Sequence, residues 1–138
     1  MMIDDVASWL VSNTTFTVGG TTGTLAKAIM LDSHPDTISV LFETPGGSPE
    51  HAFSSSTGRA EVVYESPNLQ ILTRSTSYTG ARTAAEKLFV QLDGAAGVTM
   101  GSVSYLDVAA VQSPFDIGRD NQERYLVSCN YRIKKVVG

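Results

Sequence analysis

Residues 113–133, SPFDIGRDNQERYLVSCNYRI, decide how this chain folds. From Tyr125 onward the side chains alternate. Tyr125, Val127, Cys129, Tyr131 and Ile133 point one way, and Arg124, Ser128, Asn130, Arg132 and Lys134 the other. A period of two belongs to a strand with one face on a core and the other in water. The alternation predicts a strand over residues 123–135. Ahead of it, residues 113–122 read as a loop. Its Asp116, Arg119 and Asp120, together with Glu123 and Arg124, pose the functional question: a catalytic constellation, or a surface that meets another protein.

Working outward, SVSYLDVAAVQ (102–112) reads as the strand that this loop joins to the last one. Tyr78, Ala81, Ala85, Leu88, Phe89 and Leu92 share one face of a helix over about 79–93, with Arg82 and Glu86 four apart on the polar side. Gly94 stops it. LQILTRS (69–75) alternates as a strand after Pro67, and AEVVY (60–64) fits a short strand or a helical turn. DTISVLFET (36–44) and TLAKAIML (24–31) read as strands separated by DSHP. At the start, Ile3, Val6, Ala7, Leu10 and Val11 recur at helical spacing over residues 2–12. Gly19, Gly20 and Gly23 then reverse the chain.

Residues 45–58, PGGSPEHAFSSSTG, have no period and are dense in Gly, Ser and Pro. They are expected to form a long loop, mobile in an isolated subunit because little apolar burial offsets its ordering entropy. Phe53 is the only large apolar residue there, and so its candidate anchor in a partner's pocket. The elements add up to an α+β class. One domain, residues 1–138, is expected as a mainly antiparallel sheet with two helices packed on one face.

Composition narrows the function. A chain of 138 residues can bury roughly two thirds of its unfolded surface around one core. Its hydrophobic share of 42% and charged share of 17% are those of a folded domain. The net charge of −4, without a run of Lys or Arg, lacks the footprint of a duplex binder. The single cysteine, Cys129, makes neither an internal disulfide nor a thiolate zinc site. The acidic opening MMIDDVASWLVSN is unlike a signal peptide, and no apolar run reaches membrane-spanning length, so cytosolic assembly without a membrane is expected.

Each candidate chemistry meets a plainer reading. His34 and His51 sit in Pro-containing stretches with no second ligand at metal spacing, which makes them solvated loop residues. TVGGTTGTLAK has glycines and a lysine but not the order of a phosphate loop, and it leads into a strand. Cys129 lies on the apolar side of the alternation, where a thiol is an inert core residue. Asp116, Asp120 and Glu123 are interleaved with Arg119 and Arg124, which favours ion pairs over acid–base catalysis. No catalytic, metal or cofactor-binding residue is expected, and no cofactor.

The order of the pieces carries a resemblance. VVYESPNLQILTRS (62–75), YTGARTAAEKLFVQLDG (78–94) and AAVQSPFDIGRDNQERYLVSCNYRI (109–133) resemble the minor capsid and tail-terminator proteins of tailed bacteriophages. There a Glu-x-Pro strand ending in Arg precedes an Ala-rich helix ending in Leu-Asp-Gly. A Pro-Leu/Phe-x-x-Gly-x-Asp loop then leads into an alternating final strand. The likeness covers about residues 60–134, while residues 44–58 match no motif of the family.

The resemblance implies a virion structural protein and not an enzyme: a small α+β subunit forming a ring, commonly hexameric, at the head-proximal end of the tail. Such a ring stops tube polymerisation and joins tail to head. Its partners are further copies of itself, the tail tube protein and the head connector or neck protein, with DNA only passing non-specifically through an acidic lumen. The protein would be assembled in the host cytoplasm and reside in the virion. Other head–tail connector proteins or a protein-binding structural module are the alternatives, ahead of a small hydrolytic enzyme. Phe53, Arg82, Arg119, Asp120 and Arg124 are the candidate subunit and tube contacts.

Overall fold

The computed structural model describes residues 1–18, 24–53 and 60–136. In chain order they form α1 (Met2–Asn13), β1 (Leu25–Lys27), β2 (Ile38–Thr44), β3 (Glu50–Phe53), β4 (Ala60–Glu65), β5 (Asn68–Ser75) and α2 (Tyr78–Leu92). Then follow β6 (Ala95–Met100), β7 (Val103–Ala110), β8 (Phe115–Arg119) and β9 (Tyr125–Val136). The class is α+β: two helices on one face of a curled, mostly antiparallel sheet.

The alternating strand is the hub. Along one edge of β9 run β4 and β5 in a single register, with Tyr64 opposite Val136, Asn68 opposite Arg132 and Ser75 opposite Tyr125. Along the other edge run β7, with Ala110 opposite Tyr131, and β8, with Phe115 opposite Ser128. Both edges break at a Ser-Pro pair, Ser66-Pro67 and Ser113-Pro114, because proline has no N–H to give the ladder. β2 adds to β5, β1 to β2, β3 to β4 and β6 to β7.

Period two places Val127, Cys129, Tyr131 and Ile133 under the helices, all buried. Cys129, Tyr131 and Ile133 share a cluster with Leu69 and Ile71 of β5, Leu88 and Leu92 of α2, and Ile3, Val6 and Leu10 of α1, while Val127 packs with Ala81 and Ala85 of α2. Each such side chain contributes about 2–3 kcal/mol of burial before ordering costs. Ser77 caps α2 by accepting from the Gly80 N–H at 3.0 Å. Gly94, at φ +81°, ends it as the sequence predicts. Just before it, the Asp93 carboxylate accepts from the Ala110 N–H at 2.9 Å and ties the helix end to β7.

Four local expectations change. Within the stretch read as a loop over 45–58, Glu50–Phe53 is a strand paired with β4, His51 lying opposite Val62. The glycines there serve proximity: the Gly47 N–H donates to the Ser66 carbonyl at 2.9 Å, and a side chain on Gly46 would collide with that same carbonyl. Residues 54–58 of that loop, and the reversal at Gly19, Gly20 and Gly23, lie outside the described residues. The expected strand 24–31 is only Leu25–Lys27 and pairs parallel to β2; Ala28, at φ +66°, ends it. Ala95–Met100 is a strand where only a helix stop was read. Phe115–Arg119 is a strand inside the expected 113–122 loop.

Candidate assembly surface

β8 lies at an edge. Among the described residues it pairs with β9 alone, and Phe115 and Ile117 are 40% and 47% exposed. A bulge between Asp116 and Gly118, with Gly118 at φ +107°, twists the strand as it leaves the sheet. An edge strand offers unpaired backbone groups, and apolar side chains on it invite another chain. Val111, just upstream, is exposed as well.

Asp120 builds the turn into β9. Its Oδ1 accepts from the Gln122 and Arg124 N–H groups at 2.9 and 3.0 Å, and its Oδ2 from Arg124 Nε at 2.8 Å. Glu123 takes the left-handed conformation, φ +61°, that closes the turn. Burial pushes the Asp120 carboxyl up, but hydrogen bonds from Arg124 and the Gln122 N–H outweigh it and hold the carboxyl below its ordinary range.

Arg124 is only 4% exposed. Besides Asp120 it donates to Asp32 at 2.8 Å and Asp36 at 3.2 Å, both in the segment between β1 and β2. Beside it, Arg74 of β5, 2% exposed, donates to the carbonyls of Leu31, His34, Pro35 and Asp36. β5 and the turn before β9 thus fasten one segment through two arginines. Arg74 is the arginine that ends the Glu-x-Pro strand in the sequence, and its contacts are structural.

Arg119 does the opposite. Its side chain is exposed, pairs with Glu123 at 2.9 Å and lies 4.7 Å over the Tyr125 ring. Tyr78, at the start of α2, meets Tyr125 edge to face at 6.0 Å. Arg82 is half-buried; it donates to the Pro114 carbonyl and to Glu86 at 3.2 Å, tethering α2 to the start of β8. Phe53 ends β3, and its side chain lies outside what is described.

The structure brings Asp120 and Arg124 together and Arg119 close beside them, with Arg82 at the other end of β8; Asp116, Asp120 and Glu123 do not pair as acid and base. Asp116 accepts from the Gly118 N–H, Asp120 holds Arg124 and Glu123 holds Arg119. Among the described residues no group of three or more His, Cys, Asp or Glu is placed to hold a metal ion, and no helix is long and apolar enough to cross a membrane. Cys129 is buried as expected, and burial pushes its thiol up. A groove of about 530 Å³ beside α2, lined by Thr14, Phe16, Thr83, Glu86, Lys87 and Val90, offers one carboxylate, already paired to Arg82. The exposed Phe115 and Ile117 escaped the sequence reading, although their alternation with Asp116 was the available signal.

The chain thus presents a strand edge, open among the described residues and partly apolar, beside a charged turn. The chain belongs to the bacteriophage tail terminator family, whose model matches residues 17–137. It is therefore a phage structural protein of the tail and not an enzyme. Among solved structures it is similar to a chain from the virion of a native gene transfer agent particle. The identity is 13% and the TM-score 0.56, over 83% of this chain and 79% of that one. At that identity the likeness is one of fold. No curated protein matches the chain.

Proposed function

We propose that this chain terminates the tail: copies of it close into a hexameric ring at the head-proximal end, stop tube polymerisation and present a face to the head connector. Family membership over residues 17–137 carries this reading. The open β8 edge supports it, because a cyclic ring needs two different patches on each subunit and a strand with one edge open among the described residues is one ready-made patch. Phe115 and Ile117 supply apolar contact, and Arg119 sets register. Arg82 and Phe53 are further contacts with neighbouring copies or the tube. Asp120 and Arg124 act by shaping the turn that presents them. The net charge of −4 suits a lumen through which DNA slides without sticking. Assembly takes place in the host cytoplasm and the finished ring resides in the virion.

Electron microscopy of the purified protein, alone and mixed with tail tubes, tests the reading. Rings on tube ends, with tubes of fixed length, are expected. A protein that stays monomeric with tubes present removes the ring.

A further inference from the structure

α2 separates two exposed surfaces that match. On one flank Arg82 reaches the Pro114 carbonyl, and β8 follows with Phe115, Asp116 and Ile117 in solvent. Among the described residues Asp116 binds only the Gly118 N–H of its own bulge. On the other flank, roughly a third of a turn round the helix, Lys87 and Val90 face Thr14 and Phe16 across the groove of about 530 Å³. A hollow of about 370 Å³ continues it past Phe16 toward Thr24 and Thr37. Val90 is 78% exposed, more than any other large apolar side chain described, and an apolar patch left open in this way marks a contact surface. Lys87 stands exposed on the rim in no ion pair among the described residues, while Glu86 beside it is held by Arg82.

We propose that, in the ring on which this pairing depends, the groove receives β8 of the next copy: Phe115 and Ile117 enter it beside Phe16 and Val90, and Asp116 meets Lys87. Apolar burial supplies the affinity and the single charge pair sets the register. A subunit cannot fill its own groove, because α2 stands between that groove and its own β8. Each copy therefore gives one surface and receives the other, the head-to-tail contact that closes into a ring instead of a two-fold dimer. Charge complementarity selects a second copy as the occupant: the ammonium on the groove's rim meets an acid set between the two side chains that the groove buries.

Two variants of the full chain, Val90→Cys and Ile117→Cys, test the pairing, with the buried Cys129 left in place. Mixed with tail tubes at ring-forming concentration and mildly oxidised, they should give disulfide-linked dimers joining one of each, in large excess over either variant oxidised alone. Lys87→Glu should keep the parent's unfolding midpoint and raise the concentration at which rings form at least about tenfold, since like charges would face each other. Adding Asp116→Lys to that chain should restore assembly. Rings from Lys87→Glu at the parent's concentration, whether or not they cap tubes, overturn the pairing and leave the ring. So does a mixture that fails to cross-link while the parent forms rings. A parent chain that forms no rings, alone or on tubes, removes the ring and the pairing with it.

Discussion

Arg119 and Arg124 sit five residues apart in one turn and do opposite work. Arg124 is enclosed by three carboxylates, two of them about ninety residues upstream, and holds the fold of its own chain. Arg119 lies on an aromatic ring in solvent with one flexible partner. The difference lies in position. Arg124 precedes β9 on the side that faces the 28–37 segment, whereas Arg119 ends an edge strand with no second neighbour among the described residues. A charged loop is therefore two surfaces, one turned inward and one outward, and sequence composition treats them as one.

The comparison is tested most severely by placing a charge at a buried position without a counter-charge. Cys129 shares β9 with that turn but faces the apolar side. Cys129→Asp should cost about 4 kcal/mol or prevent folding, because the new carboxylate has no cation beside it. A denaturation midpoint equal to that of the parent chain would contradict the burial argument.

Next in size is Arg124→Ala, which removes charge-assisted bonds to Asp32, Asp36 and Asp120 and should cost about 2–3 kcal/mol in urea unfolding. Arg124→Lys should recover only part, since an ammonium cannot serve three directions as a guanidinium does. An Arg124→Ala chain as stable as the parent would return Arg124 to the outward surface with Arg119.

The network also has an acid signature. A carboxyl held below its ordinary value of 3.8, as Asp120 is, contributes stability that is complete above that value and lost as pH falls through the lower folded one. Unfolding measured from pH 6 down to pH 2 should show a loss beginning below about pH 4, and that loss should shrink in Arg124→Ala. An identical acid profile in the two chains would separate Asp120 from the network.

On the outward side stability should barely move while assembly does. Ile117→Asp and Arg119→Glu should each change unfolding free energy by less than about 1 kcal/mol. Ile117→Asp should abolish rings and Arg119→Glu should weaken them, read by light scattering and tail length. Normal rings and tails from both variants would make β8 an ordinary solvated edge.

Both helices, β5 and β9 were legible from their periodicity, as at Leu88 and Leu92, with Gly94 marking the stop of α2. Three short strands were not. Glu50–Phe53 hides among residues chosen for close backbone approach, Ala95–Met100 has a glycine in a six-residue run, and Phe115–Arg119 has one at its bulge. Such strands exist because a neighbour offers a ladder, which is a property of the neighbour's position.

The sequence by itself determined the α+β class, the burial of Cys129 and the apolar face of β9, because periodicity and burial are local properties of a chain segment. The order of its motifs also pointed to the tail terminator family. Tertiary structure alone decided which arginine is inside. Arg124 meets Asp32 and Asp36 across about ninety residues, and a pairing at that distance depends on how strands stack, which no local pattern encodes.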